Sequence, residues 1–293
     1  YRGGRVHLHH GFDGDRILHD VEHEHISATL LVPTMIYALL DHPRLDDADL
    51  TSLELLLYGA SPMSPTRLEE GLARIGPVFS QLYGQTECYP ISVLRRADHS
   101  RNQPELMASC GYPCGSVDVR LLDNAGEEVS DGDTGEICVR APQMMDEYLN
   151  RPEQTAEALA GGWLHTGDMA RADERGYLYI VDRKKDMIIS GGFNVYPKEI
   201  EDILSAHPDV AAAAVIGVPD EKWGETVKAV VVPRAGRTVD PGALVAAVKA
   251  KKGSVHAPKS VDVVDESPVT AIGKPDKKAL RDAFWRGRDR QVG

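Results

Sequence analysis

Apolar positions change period repeatedly along the first hundred or so residues, and the changes mark elements. Residues 15–24 carry a helical spacing and Ala28 to Val32 a short apolar run stopped by Pro33. Pro33 to Leu40 restarts as a helix with proline in its first turn, where the missing N–H costs nothing. Leu53 to Tyr58 is a continuous apolar run of strand length, as expected of a parallel strand buried on both faces. The turn Gly59-Ala60-Ser61-Pro62 leads into an amphipathic helix over Pro65 to Ile75, and Val78 to Tyr83 forms another strand ending at Gly84. Strand and helix in alternation predict an α/β layer over residues 1–110.

From residue 111 to 184 the pattern shortens. Val117 to Leu122, Gly135 to Arg140 and Gly176 to Val181 read as strands separated by Gly, Asp and Asn turns, which predicts a β-barrel-like subdomain. The charged run Asp182 to Asp186 ends it. Beyond, Pro197 to Ser205 and Pro241 to Lys251 read as helices, and Val210 to Val218, Thr226 to Pro233 and Ser260 to Val264 as strands. The expectation is a partial large α/β domain over 1–184, followed by a small α+β domain over 185–293.

The net charge of −12 argues against nucleic acid as the main partner, because a phosphate backbone calls for a basic surface. The charge is uneven: from Asp186 onward 16 Lys and Arg meet 15 Asp and Glu, whereas the preceding residues hold 17 against 30. An anionic substrate must therefore be held by local groups. No apolar run is long enough to span a membrane and no signal-peptide pattern opens the chain, so a cytoplasmic location is expected. Cys110 and Cys114 lack the second pair that a zinc clip would need and read as ordinary buried or loop cysteines. Six of the 11 histidines precede residue 26. His9 and His10 fall on a strand-to-turn stretch and His23 and His25 at a helix end, read as solvated positions rather than a metal site.

Four polar clusters carry candidate chemistry: Tyr83-Gly84-Gln85-Thr86-Glu87, Thr166-Gly167-Asp168, Asp182-Arg183-Lys184-Lys185-Asp186 and Gly273-Lys274. Taken alone, each has an ordinary reading. Thr86 and Glu87 would cap a helix, Thr166-Gly167-Asp168 would be a Gly-Asp turn, and Lys274 a surface lysine. A hydroxyl beside a carboxylate at a strand end can also hold a phosphate oxygen and a hard cation, and a carboxylate's two acceptors match a vicinal diol.

In this order, and with Asp186-Met-Ile-Ile-Ser190-Gly191-Gly192-Phe193-Asn194-Val195-Tyr196-Pro197 and Gly273-Lys274-Pro275-Asp276 between and after them, the clusters resemble the adenylate-forming enzymes, specifically the fatty-acid and aryl-acid CoA ligases. The resemblance implies ATP (released as AMP), Mg²⁺ and coenzyme A as cofactors and a fatty or aromatic carboxylic acid as substrate. It places Gly59, Ala60 and Ser61 against adenine, Tyr83 and Gly84 at the nucleotide, Thr86 at its phosphates, Glu87 on Mg²⁺, Asp168 at the ribose, and Arg183 at the ribose and phosphates. It makes Lys185 a hinge and Lys274 the cation that bridges carboxylate and α-phosphate. It gives Gly191, Gly192, Trp223 and Lys259 to CoA, and sets Pro33-Thr34 at the border of the acyl pocket, with Met35, Tyr58 and Leu82 either lining that pocket or simply core. The family's Gly/Ser/Thr-rich phosphate loop does not occur in these residues, so the chain is expected to be the C-terminal half of such an enzyme. Alternatives within and outside the family are a carrier-protein-loading adenylation enzyme and a non-catalytic nucleotide-binding module.

Overall fold

Three apolar runs pair side by side in the same direction. In the computed structural model, which describes residues 3–100, 102–268 and 275–286, β1 (Ala28–Leu31), β2 (Leu55–Gly59) and β3 (Phe79–Gln85) are parallel neighbours. β4 (Cys88–Leu94) and β5 (Tyr112–Pro113) extend the sheet antiparallel, giving the order β1-β2-β3-β4-β5. The crossovers are helical: α1 (Gly14–Glu24) precedes β1, and α2 (Pro33–Leu40) and α3 (Pro65–Arg74) follow β1 and β2. Their apolar stripes, Leu18 and Val21, Ile36, Leu39 and Leu40, and Leu68, close over Leu56, Tyr58 and Phe79 in one core. Phe79 is fully buried there, and truncation to alanine would cost about 3–5 kcal/mol through lost burial and a residual cavity.

Tyr58 belongs to this core and not to a pocket wall. It is fully buried, lies within hydrogen-bond distance of His99 Nε2 at 3.0 Å, and burial drives its phenol far above the ordinary range. Met35 packs against the same cluster. The N-terminal histidines are less separate than the sequence suggests. His9 reaches across to α1 and meets Asp20 at 2.9 Å, while His19 contacts the other oxygen of Asp20 at 3.2 Å and stacks on His23 with ring centres 4.2 Å apart. These imidazoles hold the Asp20 carboxyl below its usual range against the opposing effect of burial.

The middle of the chain forms a second sheet. It comprises β6 (Asp118–Leu122), β7 (Gly135–Arg140), β8 (Leu164–Ala172) and β9 (Leu178–Arg183) in that order, with helix α4 (Pro152–Ala158) between β7 and β8. The expected barrel is corrected to an open sheet among the described residues, since four short strands are too few to close around an interior. Strand β8 is also new, because Thr166-Gly167-Asp168 sits inside it instead of forming a turn. Leu164, Thr166 and Asp168 are buried at a period of two with half-buried His165 and Gly167 between them, and Met169 and Ala170 continue the buried run.

The third sheet has the order β11-β10-β13-β12, with β14 parallel to β13. It contains β10 (Ile188–Ser190), β11 (Phe193–Val195), β12 (Val210–Asp220), β13 (Gly224–Pro233) and β14 (Ser260–Val263). Helices α5 (Pro197–Ser205) and α6 (Pro241–Lys252) supply Ile200, Leu204, Leu244 and Val248 to a core with Val215, Val227, Ala229 and Val231. Helix α7 (Lys277–Asp282) is tied down by charge: Lys277 meets Glu201 at 2.9 Å and Arg281 meets Asp186 at 2.5 Å, all four side chains being largely buried. Burial raises the Glu201 carboxyl. It opposes the Lys277 charge, but Glu201 and Asp182 outweigh it and raise the lysine.

The chain resolves into two compact units. One holds Tyr1–Asp133, Ile137–Thr166 and Arg171–Ile180, and the other Thr134–Glu136, Gly167–Ala170 and Val181–Gly293. No helix among the described residues is long and apolar enough to cross a membrane.

Candidate functional site

In the first unit the polar clusters gather where β2 and β3 end. Gly59 lies opposite Leu82, and a Cβ at Gly59 would stand 2.4 Å from the Leu82 carbonyl oxygen, so only glycine permits this approach. Ala60 follows at φ 64°, a left-handed conformation that costs a non-glycine residue about 1 kcal/mol. The turn is pinned from α2, where Tyr37 Oη accepts the Ser64 N–H at 2.7 Å. Ala60 and the half-buried Ser61 thus form a short open ledge beside β3.

Tyr83-Gly84-Gln85-Thr86-Glu87 does not open a helix. Thr86 and Glu87 are the two-residue loop of a β3–β4 hairpin, with Gln85 paired to Cys88 and an irregular register between Tyr83 and Gln85. Such a bulge re-aims the residues that follow it. Thr86 is exposed and Glu87 half-buried. A second segment then closes on the turn: Met145 N donates to the Glu87 carbonyl at 2.7 Å, Cys88 bridges Met144, and Tyr148 Oη donates to Glu87 Oε1 at 2.7 Å. Burial first, then the adjacent Glu87 charge, pushes the Tyr148 phenol up to about 12. The donor set at this turn is a carboxylate beside an exposed hydroxyl, which is hard oxygen chemistry and fits a Mg²⁺-like cation.

The second unit brings other predicted residues together. Asp168, buried on β8, meets Arg183 Nε at 2.9 Å, and the arginine side chain is 56% exposed, so one end of this pair faces solvent. Beside it Glu136 accepts the Gly167 N–H at 3.0 Å and Lys184 Nζ at 2.8 Å, holding the Thr166-Gly167-Asp168 segment and the end of β9 on one carboxylate. Asp182 accepts the backbone N–H groups of Arg183 and Lys198, each at 2.7 Å, yet burial still raises its carboxyl. Lys185 lies in the short turn Lys184–Asp186 that follows β9 and is exposed.

Gly191 and Gly192 form the loop of the β10–β11 hairpin, with φ 59° and 84° and Ser190 paired to Phe193. This is the arrangement that favours glycine at both positions. Gly191 lies directly against Trp223: its N–H donates to the Trp223 carbonyl at 2.9 Å, and a Cβ would stand 2.4 Å from the indole. Trp223 is 43% exposed and lies under Lys222 Nζ at 4.8 Å. Lys259 is exposed and enters β14 through a 2.8 Å bond from its N–H to Val227, along β13 from the Gly191–Trp223 contact.

A profile of the AMP-binding enzyme family matches residues 1–149, just over half of the 293 residues. The chain belongs to the AMP-binding enzyme family. A second profile, the AMP-binding enzyme C-terminal domain, matches residues 199–274. The medium/long-chain-fatty-acid–CoA ligase of Mycobacterium tuberculosis is 49% identical, over 100% of this chain and 52% of its own length. A feruloyl-CoA synthase of an Amycolatopsis species is 45% identical, over 97% of this chain and 57% of its own. Among solved structures, the amide bond synthetase from Marinactinospora thermotolerans matches with a TM-score of 0.84 and 42% identity, over 93% of this chain and 56% of the other. The chain spans about half the length of the curated relatives it matches.

In this member of the AMP-binding enzyme family, the fold brings Gly59 to Leu82, Asp168 to Arg183 and Gly191 to Trp223. Lys274 lies outside the described residues. Sequence reasoning missed Tyr148 and Glu136. Tyr148 sits in an aperiodic stretch 61 residues from its partner. Glu136 reads as a polar position of a strand, and only its burial at 4% relative exposure marks it.

Proposed function

We propose that the enzyme containing this chain joins a carboxylic acid to coenzyme A in two half-reactions. A carboxylate oxygen attacks the α-phosphorus of ATP and diphosphate leaves; the thiol of CoA then attacks the acyl carbon and AMP leaves. The supporting observation is the shared edge of β2 and β3. Because Gly59 and Leu82 are parallel partners, the ledge at Gly59, Ala60 and Ser61 and the turn at Thr86 and Glu87 follow the carboxyl ends of neighbouring strands, where ligands collect in open α/β sheets. Kinship with a fatty-acid–CoA ligase and a feruloyl-CoA synthase supports a fatty or aromatic acid.

In this reading the ledge packs on adenine, and Tyr83, Gly84 and Thr86 hold the phosphate end. Glu87 would hold Mg²⁺, which neutralises phosphate charge when bound. Asp168 accepts the ribose hydroxyls beside Arg183. Lys274 stabilises the charge that builds on the α-phosphate during the first half-reaction. Lys185 is the hinge, whose backbone turns the residues that follow it between half-reactions. Gly191, Gly192, Trp223 and Lys259 then line the route of the CoA thiol.

Lys274→Ala in the complete polypeptide tests the reading. It should abolish exchange of diphosphate into ATP and leave thioester formation from supplied acyl-adenylate intact. Normal exchange in that variant removes Lys274 from its role. Thioester formation with a carrier protein and not with free CoA reassigns the acceptor.

A further inference from the structure

A carboxylate on a two-residue hairpin loop is a poor ligand unless something fixes its rotamer, because ordering a long free side chain opposes binding. Glu87 is on such a loop, and the surrounding contacts converge on it from one segment. Its backbone carbonyl takes the Met145 N–H at 2.7 Å, the adjacent Cys88 bridges Met144, and its Oε1 takes the Tyr148 hydroxyl at 2.7 Å.

Tyr148 is itself braced from behind. Its N–H donates to Thr155 Oγ1 at 3.0 Å, and that hydroxyl donates to the Arg151 carbonyl at 2.8 Å across the first turn of α4. The residues on either side, Glu147 and Leu149, are exposed whereas Tyr148 is half-buried, so the ring alone of the three turns inward to the hairpin. What it does is occupy one oxygen of Glu87 with a neutral donor, where a cation would have competed with a bound metal for the carboxylate's charge.

We propose that Tyr148 is a positioning residue for Glu87, fixing the carboxylate through Oε1 so that Oε2 is presented to the divalent cation of a bound nucleotide. The inference rests on the assignment of Glu87 to the cation. Hydrogen-bonded partners of metal-binding carboxylates commonly set affinity by about 10- to 100-fold.

The experiment is Mn²⁺ binding to the complete polypeptide in the presence of a non-hydrolysable ATP analogue, read by electron paramagnetic resonance, alongside the Mg²⁺ dependence of diphosphate exchange. Tyr148→Phe keeps the ring and removes the donor. It should weaken Mn²⁺ binding about tenfold and raise the Mg²⁺ concentration for half-maximal exchange equally, while exchange at saturating Mg²⁺ stays within about threefold of the parent. Glu87→Gln should weaken Mn²⁺ binding by itself, and Tyr148→Phe should add nothing to it. If Glu87→Gln shifts the metal response and Tyr148→Phe does not, the positioning role is wrong and the assignment of Glu87 stands. If neither shifts it, the assignment of Glu87 fails and takes the inference with it. A fall in exchange that saturating Mg²⁺ does not recover overturns the positioning role in favour of a merely structural one. Should Tyr148→Phe not fold, Thr155→Ala loosens the brace behind it and must produce a smaller shift in the same direction.

Discussion

Two hairpins with two-residue loops carry much of the predicted chemistry, and they are built in opposite ways. Thr86-Glu87 has side chains to offer, and an outside segment holds it through Tyr148 and Met145. Gly191-Gly192 has none: both residues are at positive φ, and the loop is held by backbone contact with Trp223. The first loop presents oxygen ligands whose orientation needs a partner. The second presents bare backbone, which leaves room for a ligand chain to pass close. Equal loop length therefore says little about a loop's role; what distinguishes these two is whether the atoms on offer belong to side chains or to the main chain.

The largest break in this comparison comes from helix α7, in the unit that carries the second hairpin. Lys277 is the buried cation facing Glu201, with Asp182 adding to the field. Lys277→Met strands two buried carboxylates and should cost about 3–5 kcal/mol in the unit that contains it, seen as a lowered calorimetric transition. The sign with pH is fixed by Glu201 and Asp182, whose folded pKa values burial already raises. Groups of that kind add stability below the unfolded carboxyl range and lose it as pH rises through their folded values. Removing the lysine raises them further. The loss should be greatest at neutral pH and shrink as pH falls toward about 4, where protons replace the missing cation. A loss independent of pH would show that the lysine acts through packing alone.

Gly191→Ala separates the two hairpins functionally. The added methyl must displace the Trp223 indole, 2.4 Å away, from a residue already at φ 59°. Thioester formation from supplied acyl-adenylate should fall about 10- to 100-fold, the scale of a small misplacement at a reacting site. Diphosphate exchange should stay within about threefold of the parent. An equal fall in both would mean that the loops do not serve different half-reactions.

The same contrast explains what was legible in the sequence. Helices α2 and α5 have the predicted bounds, Pro33–Leu40 and Pro197–Ser205, because proline in the first turn marks a start that tertiary packing cannot move far. The Gly191-Gly192 loop is legible for a related reason, since its conformation is written in its own residues. Strand β4 was hidden because Thr86 and Glu87 look like a helix start, and β8 because Gly167 and Asp168 look like a turn. In both cases neighbouring strands supply the partners that override local preference. Tyr148 was hidden for the deepest reason: its significance is a single bond to a residue far away in the chain, and no local pattern encodes it.

The smallest predicted effect sharpens the first hairpin. Thr86 is exposed, and its part in the proposed chemistry is one hydroxyl at the phosphate end. Thr86→Val keeps the branched shape and removes only that hydroxyl, so the turn should keep its fold and the melting temperature should not move. One lost hydrogen bond to a charged oxygen is worth about 1.5–3 kcal/mol, and partial replacement by water at so open a position should reduce the fall in diphosphate exchange to about tenfold. Thr86→Ser restores the hydroxyl without the methyl and should recover most of the rate. Recovery by serine, together with an unchanged rate of thioester formation in both variants, would assign Thr86 to the first half-reaction through its oxygen. If valine and serine are equally impaired, the methyl and the turn geometry matter instead, and the side-chain half of the contrast between the two hairpins then rests on Glu87 alone.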